Sequence, residues 1–166
     1  VWFNTFEEMA DYTMSHAKPG DLVITLGCGD IYKAARMMQR KLENKTEELF
    51  KSGLIHGTTH LANGQEASQA GLCLALDDND WIVPTHRCHG FTLCNGSWPY
   101  AMFCEMLGTP EGLAKGMGGS MHMPDKEMCN LGSSAVVGSG VPLATGIAYY
   151  FKRNKWKPEN LCRFSR

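Results

Sequence analysis

The pattern of apolar and polar positions divides the chain into helices separated by turns and short apolar runs. Thr5 and Glu8 have the spacing of a capping box, in which hydroxyl and carboxylate each satisfy an unpaired backbone donor at a helix start, and a helix over about 6 to 17 is predicted. Lys18-Pro19-Gly20-Asp21 is turn chemistry, Leu22 to Leu26 is an apolar run with β-branched Val23, Ile24 and Thr25, and Gly27-Cys28-Gly29-Asp30 is a second turn. This opening reads helix, strand, turn, helix. The next helix is predicted from Ile31 to about Ser52, with Ile31, Ala34, Ala35, Met38 and Leu42 on one face and Gly53 as its stop. Lys33 to Glu48 contains neither Gly nor Pro, so the helix is locally continuous.

Asn63 and Glu66 repeat the capping-box spacing before the small apolar stretch Ala67 to Leu76, which predicts a third helix from near Gly64. Asp77 to Asp80 is a polar break, and Trp81-Ile82-Val83-Pro84 has the look of a short buried strand. Pro99 suits the first turn of a helix that ends at Gly108. Glycines and small polar residues dominate from Gly116 to Gly140, a length without regular structure that points to a functional loop system. Pro142 opens a helix over about 142 to 152, and Lys157-Pro158-Glu159-Asn160 turns the chain toward a strand starting near Leu161.

Composition narrows the classes. With 43% hydrophobic and 20% charged residues the chain is that of a folded domain, not a disordered segment. The 17 acidic and 16 basic residues nearly cancel and are scattered, which argues against nucleic acid and against a membrane surface. No apolar run reaches the roughly 20 residues of a membrane span, and a cytoplasmic location is expected. The seven cysteines are odd in number and include no CxxC pair, so neither a disulfide framework nor a zinc site is indicated.

Three clusters carry candidate chemistry. His86-Arg87-Cys88-His89-Gly90 follows the apolar run and would set a guanidinium and two imidazoles at a strand end, a plausible anion site, although exposed histidines and an Arg paired to a carboxylate explain it as well. Gly116-Met117-Gly118-Gly119-Ser120-Met121-His122-Met123 has glycines that let a ligand approach the main chain, or simply make a flexible loop. The run Gly132 to Pro142 brings small residues to a helix start, where free amides favour an anionic or polar ligand; close helix packing is the other reading.

The order of these pieces is distinctive: HLANGQEA (60 to 67), THRCHG (85 to 90), GMGGSMHM (116 to 123) and VGSGVPLATG (137 to 146). Together they resemble the alpha subunit of thiamine diphosphate-dependent dehydrogenases, the first component of the pyruvate, branched-chain and acetoin dehydrogenase complexes. The resemblance implies an α/β fold, part of a parallel sheet flanked by helices, that binds thiamine diphosphate and Mg²⁺ between an alpha and a beta subunit. It implies that Arg87 and His86 contact the cofactor diphosphate, with His89 beside the phosphates. The main chain around Ala135 and Val137 is implied to hold the aminopyrimidine ring, and His60 to face the reacting centre as a catalytic residue. The implied reaction is oxidative cleavage of acetoin or decarboxylation of a 2-oxo acid, with acyl transfer to a lipoyl-bearing acyltransferase; the overall look is slightly nearer the acetoin enzymes.

Two departures qualify this. The family's magnesium-diphosphate motif, GDG with a downstream Asn, belongs just after the strand near Leu161, where this sequence reads Cys162-Arg163-Phe164-Ser165-Arg166. The expectation is a truncated or frame-shifted piece that lacks the metal ligands and is inactive alone. At the front, residues about 5 to 31, and particularly KPGDLVITLGCGDIYK (18 to 33), resemble the C-terminal, Rossmann-like end of UDP-N-acetylmuramate:alanine ligase. GCGDIY itself is no dinucleotide fingerprint, because the third glycine would fall at Tyr32. The expected division is therefore a ligase-like segment over 1–40 and a dehydrogenase part over 41–166, joined somewhere in 31 to 45. A non-catalytic chimera that hides its exposed faces in a homo-oligomer, and a ligase fragment, are the alternatives.

Overall fold

The computed structural model describes residues 3–16, 32–77 and 80–154. Helix α1 (Phe6–His16) starts where the capping spacing puts it: the Thr5 hydroxyl accepts from the Glu8 N–H at 3.1 Å, and the Glu8 carboxylate accepts from the Asn4 N–H at 3.0 Å. The predicted strand Leu22 to Leu26 with its flanking turns, and the strand expected from Leu161, lie outside the described residues.

Helix α2 (Tyr32–Lys51) ends at Gly53, whose φ of +76° is the left-handed conformation that closes a helix. Its buried face differs from the predicted apolar stripe. Ala34 and Leu42 are buried, but so are Gln39, Glu43 and Thr46. Each of these polar side chains has an interior partner, which offsets part of the cost of leaving water, while Gln39 Oε1 and Glu43 Oε1 are buried without one. The Gln39 amide donates to Gln69 Oε1 at 2.7 Å, Glu43 meets His89, and the Thr46 hydroxyl donates to the Leu42 carbonyl at 2.9 Å. On the outer side Lys41 ties α2 to α1, with its Nζ 2.7 Å from Asp11 and 3.5 Å from Glu7.

Helix α3 (Glu66–Leu74) starts two residues later than predicted and without the Asn63 cap. Gly64, at φ +87°, turns the chain left-handed just after Asn63, so the helical amides lie out of that side chain's reach. Helix α4 (His89–Cys94) is too short to show a period and was not predicted. Helix α5 (Pro99–Leu107) has Pro99 in its first turn and Gly108 at φ +75° as its stop, as predicted. A single 3₁₀ turn (Gly119–Met121) interrupts the glycine-rich loop. Helix α6 (Gly140–Arg153) carries Pro142 in its first turn, where no intrahelical donor is needed.

The expected parallel sheet is not formed among the described residues. Trp81 to Val83 contributes one parallel bridge: the Ile82 N–H donates to Cys129 and the Leu131 N–H donates to Ile82, both at 3.0 Å. Pro84 has no N–H to continue the ladder, so the run stops there. Asp125 and Asn130 form a second, antiparallel bridge. The core gathers Leu42, Ile55, Cys88, Met102, Met106 and Met123, with Leu49, Leu93 and Phe103 packed around them.

Leu42 is 1% exposed at the centre of that core, so Leu42→Ala is expected to cost about 2–5 kcal/mol in urea unfolding. Glu66 supplies a pH-dependent contribution. Burial pushes its carboxyl up, but hydrogen bonds from the backbone N–H groups of Glu66 and Gly64, with the Arg40 and Arg36 charges, outweigh that and hold it below its ordinary value. A depressed carboxyl stabilises the fold above its unfolded value and loses that effect as the pH falls through the folded one. Glu66→Gln should therefore lower the urea midpoint at pH 7, and the difference from the parent should shrink as the pH is taken to about 3, beneath the ordinary carboxyl range.

Candidate functional site

The segment 85–90 leaves the bridge at Ile82, passes Pro84 and enters α4 at His89, and α2 and α3 fix its path. The Gln69 amide on α3 donates to the Arg87 carbonyl at 2.9 Å, and the Arg87 N–H donates to the Thr85 hydroxyl at 3.3 Å. Gly90 lies so close to these helices that a β-carbon there would sit 1.8 Å from Gln69 Oε1 and 2.2 Å from Gln39 Nε2. Only glycine admits this approach, and so the approach positions His86 and Arg87.

Two of the predicted site residues meet. The rings of His60 and His86 stand edge to face with centroids 5.0 Å apart. Each ring has its Nδ1 buried without a hydrogen-bond partner, and the same holds for Thr59 Oγ1 and Trp81 Nε1 nearby in sequence. An unsatisfied buried polar atom costs about 1–3 kcal/mol, so two on facing rings call for a ligand or ordered water. Arg87 joins this cluster: its Nη1 donates to the carbonyl of Leu61, the residue after His60. The arrangement brings imidazole nitrogens and a planar guanidinium, one of whose five N–H donors is spent on Leu61, to one small region, which suits an anion.

His89 has turned away from this cluster. Its Nδ1 lies 3.0 Å from Glu43 Oε2, and its Nε2 lies 2.9 Å from the hydroxyl and 3.0 Å from the carbonyl of Ser120, all without solvent contact at the ring. Glutamate, histidine and serine in this order have the makings of a nucleophile relay, but a relay sealed from solvent has no access to a substrate. Both ring nitrogens are engaged within the chain, so His89 offers no donor to a ligand in this conformation. Ala135 and Val137 are exposed on the bends that lead into α6. Among the described residues no hydrogen bond or ring contact joins them to the two histidines. The start of α6 does return toward the segment, for a β-carbon at Gly140 would lie 3.6 Å from Val83.

The glycine-rich cluster wraps a carboxylate of the chain itself. Glu105 is buried on α5, and its two oxygens accept from the backbone N–H groups of Ala114 (2.6 Å), Gly116 (2.9 Å), Gly118 (2.5 Å) and Gly119 (3.1 Å). A β-carbon at Gly112 would meet Glu105 Oε2 at 2.4 Å, and one at Gly118 would meet the His122 carbonyl at 2.0 Å. The following glycine-poor stretch is fastened to this loop by the Ser133 hydroxyl, which donates to the Met121 carbonyl at 2.5 Å, and by His122 Nδ1, 2.8 Å from the Ser133 carbonyl. Sequence reasoning missed Glu43, Gln69 and Glu105. The available signals were a polar residue beside Leu42 on the inner face of α2 and a lone acid in the apolar run of α5.

No helix among the described residues is long and apolar enough to cross a membrane. The chain belongs to the dehydrogenase E1 component family, whose sequence model matches residues 34–162. It is 40% identical over 137 residues to the alpha subunit of acetoin:2,6-dichlorophenolindophenol oxidoreductase of Bacillus subtilis (strain 168), covering 80% of this chain and 41% of that protein. It is 42% identical over 127 residues to the mitochondrial pyruvate dehydrogenase E1 component subunit alpha, somatic form, of Rattus norvegicus (75% of this chain, 32% of that protein). A third relative, subunit alpha-1 of the same mitochondrial component in Arabidopsis thaliana, is 38% identical over 126 residues, or 76% and 32% of the two chains. The chain thus spans about a third to two fifths of the length of these relatives. None of them supports the ligase likeness of residues 5–31.

Glu105→Ala would leave four converging, partly buried N–H groups without an acceptor, and a loss of about 3–5 kcal/mol is expected. Hydrogen exchange should report it as lost protection at Ala114, Gly116, Gly118 and Gly119 before the rest of the chain; uniform loss would instead indicate a global role.

Proposed function

We propose that this chain is the forward part of the alpha subunit of a thiamine diphosphate-dependent dehydrogenase. On this reading the complete protein cleaves acetoin or decarboxylates a 2-oxo acid and passes the acyl group to lipoyl on an acyltransferase, working with a beta subunit. The observation that carries it is the pair His60 and His86, with two buried unpartnered Nδ1 atoms beside Arg87, in a chain of the E1 family. The chemistry of that cluster fits the diphosphate end of the cofactor. Arg87 would hold a phosphate oxygen pair with its planar fork, and His86 would add a donor or acceptor at its Nδ1. His60 would face the reacting carbon and hold or release a proton there. The main chain around Ala135 and Val137 would orient the aminopyrimidine ring once α6 and its leading turn are covered. His89 supports this indirectly, by fixing α4 against α2 and not by touching a phosphate.

Thiamine diphosphate supplies, when bound, a nucleophilic carbon for carbonyl attack and a sink for the electrons of the cleaved bond. Among the described residues no group of three or more His, Cys, Asp or Glu is placed to hold a metal ion, and the sequence after Leu161 does not carry the GDG motif that would hold Mg²⁺. The division into a front segment over 1–40 and a dehydrogenase part over 41–166, the sheet of the α/β fold with its helix–strand–helix lead, and a cytoplasmic location belong to the same proposal. Exposed Val136, Val137 and Val141 are consistent with an association surface. The beta subunit is the occupant this reading assigns, and a homo-oligomer is the competing one.

Without the Mg²⁺ motif, thiamine diphosphate is expected to bind the isolated chain only in the millimolar range, about −4 kcal/mol. Titration followed by NMR should shift the ring signals of His60 and His86, whereas thiamine lacking the diphosphate should not, and Arg87→Ala should weaken binding about tenfold, or 1.4 kcal/mol. Unmoved histidine signals, or an Arg87→Ala chain that binds equally well, would sink the assignment of this cluster.

A further inference from the structure

Cys73 on α3 and Cys94 at the end of α4 belong to no part of the site described above. Both are partly buried thiols outside any disulfide. Their register is set by the tight contact one turn earlier. Gln69 on α3 meets Gly90 on α4, Cys73 lies four residues beyond Gln69, and Cys94 lies four beyond Gly90. Residues four apart share a helix face, so Cys73 and Cys94 lie on the faces that Gln69 and Gly90 present to each other. One contact agrees: Cys73 Sγ is 3.9 Å from the carbonyl of Phe91, which lies three residues before Cys94 on α4.

We propose that Cys73 and Cys94 are a redox pair that closes to an intramolecular disulfide when a hydroperoxide-class oxidant is present, clasping α3 to α4 behind the segment that carries His86 and Arg87. This does not depend on the function proposed above. The Cys73 thiolate attacks one peroxide oxygen; an S–O bond forms, the O–O bond breaks, and the departing oxygen takes a proton and leaves as water or an alcohol. Cys94 then gives up its proton and attacks the Cys73 sulfur; the S–S bond forms, the S–O bond breaks, and water leaves. In sum the two thiols lose two electrons and two protons, and the peroxide gains them. Two equivalents of a small thiol return the pair to its reduced form by exchange.

The two sulfurs are not equivalent. A hydrogen bond from Cys94 holds the Cys73 thiol below its ordinary value, outweighing burial, which makes Cys73 the attacking group. Cys94 is pushed well above the thiol range, first by that same hydrogen bond and then by burial and the Cys73 charge. Conversion of Cys73 to a sulfenic acid removes the Cys73 charge, one of the causes that raise Cys94. Cys88, Cys104 and Cys129 are buried.

The test treats the full 166-residue chain with hydrogen peroxide, blocks remaining thiols by alkylation and maps peptides without reduction. The expected result is a peptide containing Cys73 joined to one containing Cys94, lost again after treatment with dithiothreitol. Cys94→Ser should block the cross-link and leave Cys73 as a sulfenic acid that dimedone captures, while Cys73→Ser should show neither. The wild-type map decides the matter even if a variant misfolds, with the urea-unfolded chain as reference. A native map with no Cys73–Cys94 peptide, or with the same scrambled pairing as the unfolded chain, would overturn the proposal.

Discussion

Glu43 and His89 lie 3.0 Å apart with neither side chain exposed, and the elements around the candidate site take their positions from that contact. Removing either group would strand the other in a medium that solvates it poorly, a loss of about 3–5 kcal/mol for a buried pair. The contact fixes where α4 begins against α2, and Ser120 extends it to the glycine-rich loop. Gln39 and Gln69 run beside it and reach the Arg87 carbonyl. A polar seam thus crosses the interior, and the residues next to it in sequence, His86 and Arg87, are held at its edge.

The same economy of backbone donors explains the glycine-rich loop. Glu105 is an internal anion that takes the place a bound ligand would have, gathering amides that point inward. The loop is therefore organised before any partner or cofactor arrives, and its glycines answer to close backbone approach and not to flexibility. What remains open to a ligand is the His60–His86 face, where buried nitrogens lack partners. Organisation and vacancy are separated by only a few residues.

Much of the helical architecture was legible because its signals are local. The Thr5–Glu8 spacing, Gly53, Pro99 and Gly108 each mark a terminus through the chemistry of a few neighbouring atoms. The sheet was not legible in the same way, since Trp81 to Val83 has the composition of a strand but Pro84 and a single partner leave it a bridge. Within the site, His60, His86 and Arg87 were read as candidates and the fold brings them together across 26 residues. His89 shares their motif but faces the other way, because a buried carboxylate on α2 claims it; no spacing within THRCHG reveals that. Glu105 was invisible as an organiser since its partners are main-chain amides, which carry no sequence identity.

Helix α6 has a different standing from the helices that share the seam. None of its fourteen residues is fully buried, and its ties to the domain include the approach of Gly140 to Val83 and the ring contact of Phe151 with Trp81. A helix of that length is marginal in water when packing does not support it. Its opening free energy is accordingly decoupled from that of the core, so the helix can melt and re-form while Leu42 and its neighbours stay packed. Sequence changes along it would register in local opening rates and leave the global unfolding midpoint almost where it was.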